Sequence, residues 1–99
     1  MPSEPFLYNF FGRECPWCER MHPLVDRLMH ETKLNVVQLE VWHNKENQEK
    51  MKEFAEALRP ACGGRLAVPA FYNLKTGKAL CGYVPYETLK EWAVAARSD

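Results

Sequence analysis

Apolar residues in this chain fall into short runs, and the spacing inside each run identifies the element. Residues 6–11, FLYNFF, form an aromatic run that stops at Gly12, the pattern of a buried strand. From Pro16 the spacing changes. Met21, Val25, Leu28 and Met29 recur on one helical face. A proline is tolerated in a first helical turn, where its missing N–H would have no partner, whereas Pro23 inside the same helix predicts a kink. In residues 35–42, NVVQLEVW, Val37, Leu39 and Val41 alternate with Gln38, Glu40 and Trp42, as in a strand. Asn44 or Asn47 can cap a following helix whose stripe is Met51, Phe54, Ala55 and Leu58, with Pro60 expected to stop it near Arg59. Cys62-Gly63-Gly64 is a loop, residues 68–73 (VPAFYN) a third strand, Lys75-Thr76-Gly77-Lys78 a hairpin turn and residues 79–84 (ALCGYV) a fourth strand. A last helix starts near Pro85 and sets Leu89, Trp92, Ala93 and Ala96 on one face.

The predicted order is β-α-β-α-β-β-α. Helical crossovers imply a parallel pair and the tight turn an antiparallel hairpin, so the expected fold class is α/β, a mixed four-stranded sheet flanked by helices. The 99 residues are expected to form a single domain, 1–99, with no internal repeat or linker. At 46% hydrophobic, the chain can build a core without staples. Its 13 basic and 13 acidic residues cancel, which argues against a nucleic-acid partner. No run approaches the roughly 18 apolar residues of a membrane span. The opening MPSEPF has neither a basic region nor a long apolar one, so no secretory signal is expected and the default location is cytoplasmic.

Four cysteines then carry the question: Cys15, Cys18, Cys62 and Cys81. Cys15 would lie at a helix start, where unpaired N–H groups and the helix dipole favour negative charge, and thiolate is the species that attacks disulfides. Arg13 adds to that effect and Glu14 opposes it. Cys18, one turn later, is close enough to close a disulfide with Cys15 and should point inward. Cys15 would attack and Cys18 would resolve. The competing structural reading is a zinc clip, of which C-x2-C is half. The other half is missing, because Cys62 and Cys81 are 19 apart and His22, His30 and His43 show no partner spacing. No metal is expected.

The segment CPWCERMHP resembles the thioredoxin-superfamily active-site segment C-x-x-C-K-M-x-x-P. AVPAF at 67–71 is similar to the segment around that family's cis-proline, and LKTGKALCGYVPYETLKEW to its closing hairpin and last helix. The resemblance implies a three-layer α/β/α domain. It also implies a cis Pro69 beside the cysteine pair, a Val68 backbone that pairs with an extended substrate by strand addition, and a groove bordered by Trp17 and the Gly82 loop. Without that role, Trp17 is simply an exposed aromatic. Two features depart from the family. The N-terminal strand and helix of thioredoxins are missing, since only residues 1–5 precede Phe6. That makes the topology closer to glutaredoxins, yet their glutathione-holding Gly-Gly and acidic pair are replaced by Gly82-Tyr83-Val84-Pro85. Second, the family's buried aspartate, six residues before the first cysteine, aligns with Asn9, and its lysine partner with Gln38. Replacing both charges with amides is consistent, because a buried charge without its partner is very costly. An amide cannot accept a proton. His22, four residues beyond Cys18 on the same helical face, is the candidate proton relay, with packing beside Pro23 as the competing role and Glu40 a weaker candidate base.

Cys62 is read either as a regulatory thiol or as a buried one, and Cys81 as a small core residue. A Cys62–Cys81 bridge stays open. The expected function is a thiol–disulfide oxidoreductase reducing or exchanging protein disulfides, with Cys15, Cys18 and His22 catalytic and Trp17, Val68, Pro69 and Gly82 binding substrate. No prosthetic cofactor is expected, since the cysteines carry the two electrons. The expected partners are protein disulfide substrates and a reductase or glutathione as electron donor, around a monomer. The alternatives are a glutathione-dependent glutaredoxin-like reductase, a metal-binding module and a non-catalytic adaptor on the same fold.

Overall fold

The computed structural model describes residues 5–95. In chain order the elements are β1 (Leu7–Phe11), α1 (Pro16–Thr32), β2 (Val36–Glu40), α2 (Lys45–Glu53), α3 (Ala55–Ala61), β3 (Ala70–Asn73), β4 (Ala79–Cys81) and α4 (Tyr86–Val94). The sheet order is β2-β1-β3-β4. β1 pairs parallel with β2 and antiparallel with β3, and β4 is the antiparallel partner of β3 at the edge.

Successive side chains of a strand point to opposite faces, and β1 supplies both cores in this way. Leu7 joins Met21, Val25 and Leu28 of α1, Phe71 of β3 and Leu89 and Ala93 of α4 on one face. Phe10, with Tyr8 packed beside it, joins Met51 of α2, Leu58 of α3 and Ala70 of β3 on the other. The aromatic run is therefore a central strand buried on both sides, and the resulting α/β/α sandwich leaves the end of β1 and the start of α1 at one rim of the sheet. Tyr86 Oη donates to Glu31 Oε1 at 2.7 Å and ties α4 to α1.

Several element boundaries differ from the sequence expectation. The second helix is two helices. At Phe54 the backbone takes φ −108°, ψ 19°, and the ring stacks on Tyr72 with centroids 4.3 Å apart and leans on Tyr8. Nor does Pro60 end α3 at Arg59. It lies inside a helix that runs to Ala61, because only one donor is lost and the loop beyond satisfies the final carbonyls. The Cys62 N–H donates to Leu58 O, and the Gly64 N–H reaches Arg59 O at 2.7 Å. The strands at 68–73 and 79–84 are shorter than expected. Pro69 has no N–H to give to the ladder, and Gly82, at φ 92°, turns the chain out of β4. α1 runs unbroken through Pro23. The Ala96 position of the last helix lies outside the described residues.

Candidate active site

β1 delivers the chain to Gly12, on which the Trp42 indole lies so closely that any Cβ at that position would overlap the ring. Gly12 O accepts from the Cys15 N–H at 3.1 Å, tightening the turn into α1. Glu40, the last residue of β2, fastens the same turn from the side. Its carboxylate accepts from the backbone N–H of Arg13 (2.9 Å), Trp42 (3.1 Å) and His43 (2.8 Å). Desolvation works to raise the Glu40 pKa, but these donors outweigh it and hold the carboxyl below its ordinary value. Beside it Glu14 Oε1 meets His43 Nε2 at 2.7 Å. Glu40 is thus a clasp between two loops.

Cys15 is the N-cap of α1, in extended backbone at φ −84°, ψ 114°, with Pro16 opening the helix. Its sulfur accepts from the Cys18 N–H at 3.1 Å, so an orphan donor of the first turn points at it. On its other side Cys15 Sγ lies 4.0 Å from Val68 O. Cys18 is 1% exposed. Burial, then a hydrogen bond with Cys15 and the nearness of that sulfur's charge, push its thiol up to about 12, against the opposing pull of the Gly12 N–H. The two sulfurs are unbonded and both buried, one at the helix cap and the other kept protonated at neutral pH.

The Val68–Pro69 peptide bond is cis. Trp17, Val68, Pro69, Gly82 and Tyr83 line one open groove beside Cys15, so the four groove residues named from sequence come together. Trp17 is 52% exposed, its ring centroid 5.8 Å from that of Tyr83, with the Arg20 guanidinium 5.0 Å above it. The Tyr83 wall was not foreseen, although an aromatic directly after the Gly82 turn was its signal. Across Val68 lies a second hollow, lined by Trp42, Met51 and Leu66 among others.

Asn9 and Gln38 are Cα partners in the β1–β2 register, yet their amides do not pair. Asn9 is 2% exposed and donates from Nδ2 to Ala70 O at 3.4 Å. Gln38 is exposed, its Nε2 3.4 Å from His22 Nδ1. The His22 ring meets Phe11 edge-on, centroids 5.1 Å apart. Cys62 and Cys81 are joined in a disulfide, S–S 2.03 Å and Cα–Cα 5.2 Å. Cys62 is therefore not a free thiol, and Cys81 is a half-buried bridge partner rather than a core residue. Among the described residues no group of three or more His, Cys, Asp or Glu side chains could hold a metal ion, and no helix is long and apolar enough to cross a membrane.

No family model matches the chain, and no curated protein matches it by sequence. Solved structures do. The short form of thioredoxin f from spinach chloroplast superposes with a TM-score of 0.69 at 27% identity, over 96% of this chain and 78% of that one. Oxidised thioredoxin from Plasmodium falciparum gives 0.66 at 22% identity, over 94% and 81%. A single-substitution mutant of thioredoxin from Halobacterium salinarum NRC-1 gives 0.63 at 24%, over 91% and 72%. The two superpositions below 25% identity show a shared fold. With the mixed sheet and the cysteine pair at a helix start, the spinach superposition makes the chain a thioredoxin-like superfamily domain.

Proposed function

We propose that this chain is a thiol–disulfide oxidoreductase that reduces protein disulfides through the Cys15–Cys18 dithiol. The observation that carries the reading is the asymmetry of the pair. Both thiols are buried, but Cys15 Sγ sits at a helix cap, with the Cys18 N–H 3.1 Å away and Val68 O of the groove wall at 4.0 Å, while Cys18 lies one turn into the helix and is held protonated.

Cys15 attacks one sulfur of the substrate disulfide. A Cys15–substrate disulfide forms, and the other substrate sulfur leaves as a thiol. Cys18 then attacks Cys15, the mixed disulfide breaks, and the second substrate thiol departs with the proton Cys18 loses. Two electrons and two protons pass to substrate, and the chain is left with a Cys15–Cys18 bond. Once Cys15 is tied up in the mixed disulfide, its sulfur can no longer carry charge beside Cys18. One cause of the raised Cys18 pKa then disappears at the step where Cys18 must ionise. Trp17, Pro69, Gly82 and Tyr83 hold the substrate, and the backbone of Val68 pairs with it as an added strand. His22 relays the departing proton. An external thiol donor, either the dithiol of a flavoprotein reductase or two molecules of glutathione, resets the pair, and no prosthetic group takes part.

Insulin reduction with dithiothreitol as donor tests this. The wild type should accelerate precipitation of the B chain, and Cys15→Ser should reduce the rate to background. Equal rates for the two proteins would turn the domain into a binding module. In the same assay, a pH–rate profile for His22→Gln that superposes on the wild type removes His22 from the mechanism.

A further inference from the structure

Cys62 and Cys81 take no part in that exchange, yet their bond adjoins the wall of the groove. Cys62 closes α3 and Cys81 ends β4, the short edge strand. Between them runs the arm that carries Val68 and Pro69. Three successive carbonyls of this arm face three different groups. Ala67 O lies 3.8 Å from Cys62 Sγ and 3.9 Å from Cys81 Sγ. Val68 O is 4.0 Å from Cys15 Sγ. Pro69 O accepts from the Gly82 N–H at 2.8 Å.

The two ends of the arm are held differently. Gly63 and Gly64 follow Cys62 at φ 84° and 109°, and a side chain added at either would meet nothing within 4 Å. At the other end β4 holds to β3 through the partners Ala70↔Cys81, Phe71↔Leu80 and Tyr72↔Ala79. Directly after Cys81 come Gly82 and Tyr83, which line the groove. A bonded sulfur has no proton to give Ala67 O. As thiols, the same two sulfurs would each bring an S–H that can donate to that carbonyl, and they would part to nonbonded distance.

We propose that Cys62–Cys81 is a second redox site, which takes a dithiol as its substrate and sets how well the groove binds. This rests on the oxidoreductase reading, since the gated event is substrate binding. A thiolate of the incoming dithiol attacks one sulfur, breaking the Cys62–Cys81 bond and forming a mixed disulfide. The second thiol of the reductant resolves it. Two electrons and two protons end on Cys62 and Cys81, and the reductant leaves as a disulfide. Exchange with a disulfide-bearing molecule reverses the step. Bonded, the pair holds the 63–69 arm and the Gly82–Tyr83 wall at one separation. Reduced, it removes the covalent tie and leaves them held by the Gly82 N–H to Pro69 O bond and the β3–β4 ladder, while Cys15 and Cys18 keep their helix.

A Cys15→Ser/Cys18→Ser protein isolates this site. In graded mixtures of reduced and oxidised dithiothreitol, alkylation and mass spectrometry should show one step of two thiols. Amide exchange over residues 63–69 and 82–84 should become about tenfold faster in the reduced form, with α1 and β1 still protected. Equal exchange in both states overturns the proposal. So do thiols that alkylate before reductant is added, and so does uniform loss of protection, which would make the bond a staple for the whole fold. With Cys15 and Cys18 present, Cys62→Ser/Cys81→Ser should raise KM for a disulfide peptide about threefold or more with little change in kcat. An unchanged KM overturns the gating. Should that variant not fold, exchange in the reduced parent decides. A failed insulin assay would remove the oxidoreductase reading and leave the exchange result standing, whereas equal exchange would remove the switch and leave insulin reduction intact.

Discussion

Asn9→Asp would place a carboxyl where the structure holds an amide, and its consequence can be worked out in advance. The site is 2% exposed, and its polar partner is a carbonyl oxygen, Ala70 O, at 3.4 Å from the amide nitrogen. An ionised aspartate has no donor to offer that oxygen, and burial opposes its charge. Deep burial raises carboxyl pKa values by as much as about 3–5 units. The protonated acid fits, since its O–H can replace the amide N–H. The folded-state pKa therefore lies above the unfolded value of about 3.9. Below about pH 3.9 both states are protonated and the substitution costs little. As pH rises past that value the unfolded chain ionises and the folded one does not, so stability relative to wild type falls by about 1.4 kcal/mol per pH unit. The fall stops at the folded-state pKa. Its ceiling at pH 7, the cost of keeping the acid protonated there, is about 4 kcal/mol, a large part of the roughly 5–15 kcal/mol that holds a domain together. Urea denaturation of variant and wild type at pH 4 and pH 7 reads the difference directly. A gap of about 3–4 kcal/mol at pH 7 that nearly closes at pH 4 is the expected outcome. A gap of the same size at both pH values would show that the site accepts the charge, and the account of why an amide stands here would be wrong.

Two other expectations concern the turn and the inner thiol. Gly12→Ala should destabilise by about 1–3 kcal/mol through overlap with the Trp42 indole. In a urea-denaturation cycle much of that loss should vanish in Gly12→Ala/Trp42→Ala, and strictly additive effects would remove the close approach as the cause. In Cys15→Ser, Cys18 should resist iodoacetamide through about pH 9 and react faster only at higher pH, because burial, the largest cause of its raised pKa, remains. Mass spectrometry of alkylated protein follows this, and a rate that levels off by about pH 9 would contradict the buried, protonated thiol.

The element order, the mixed sheet and the placement of the cysteine pair were legible in the chain because they depend on local rules. Period-two runs, helical stripes, a proline at a helix start and a glycine-bearing turn act over a few residues each. The groove residues Trp17, Val68, Pro69 and Gly82 were legible only by resemblance, since nothing near Val68 in sequence says that its carbonyl faces Cys15. Tertiary structure alone decided the rest. Phe54 breaks a helix because two tyrosines from other strands receive its ring. Asn9 and Gln38 share a register position but not a hydrogen bond, because one side chain is buried and donates to Ala70 O while the other is exposed and reaches His22. Cys62 and Cys81 are bonded because α3 sets its C-cap residue against an edge strand. These outcomes depend on distances between residues far apart in the chain. The hydrophobic pattern specifies which face each residue takes, and only the closed fold specifies what that face meets.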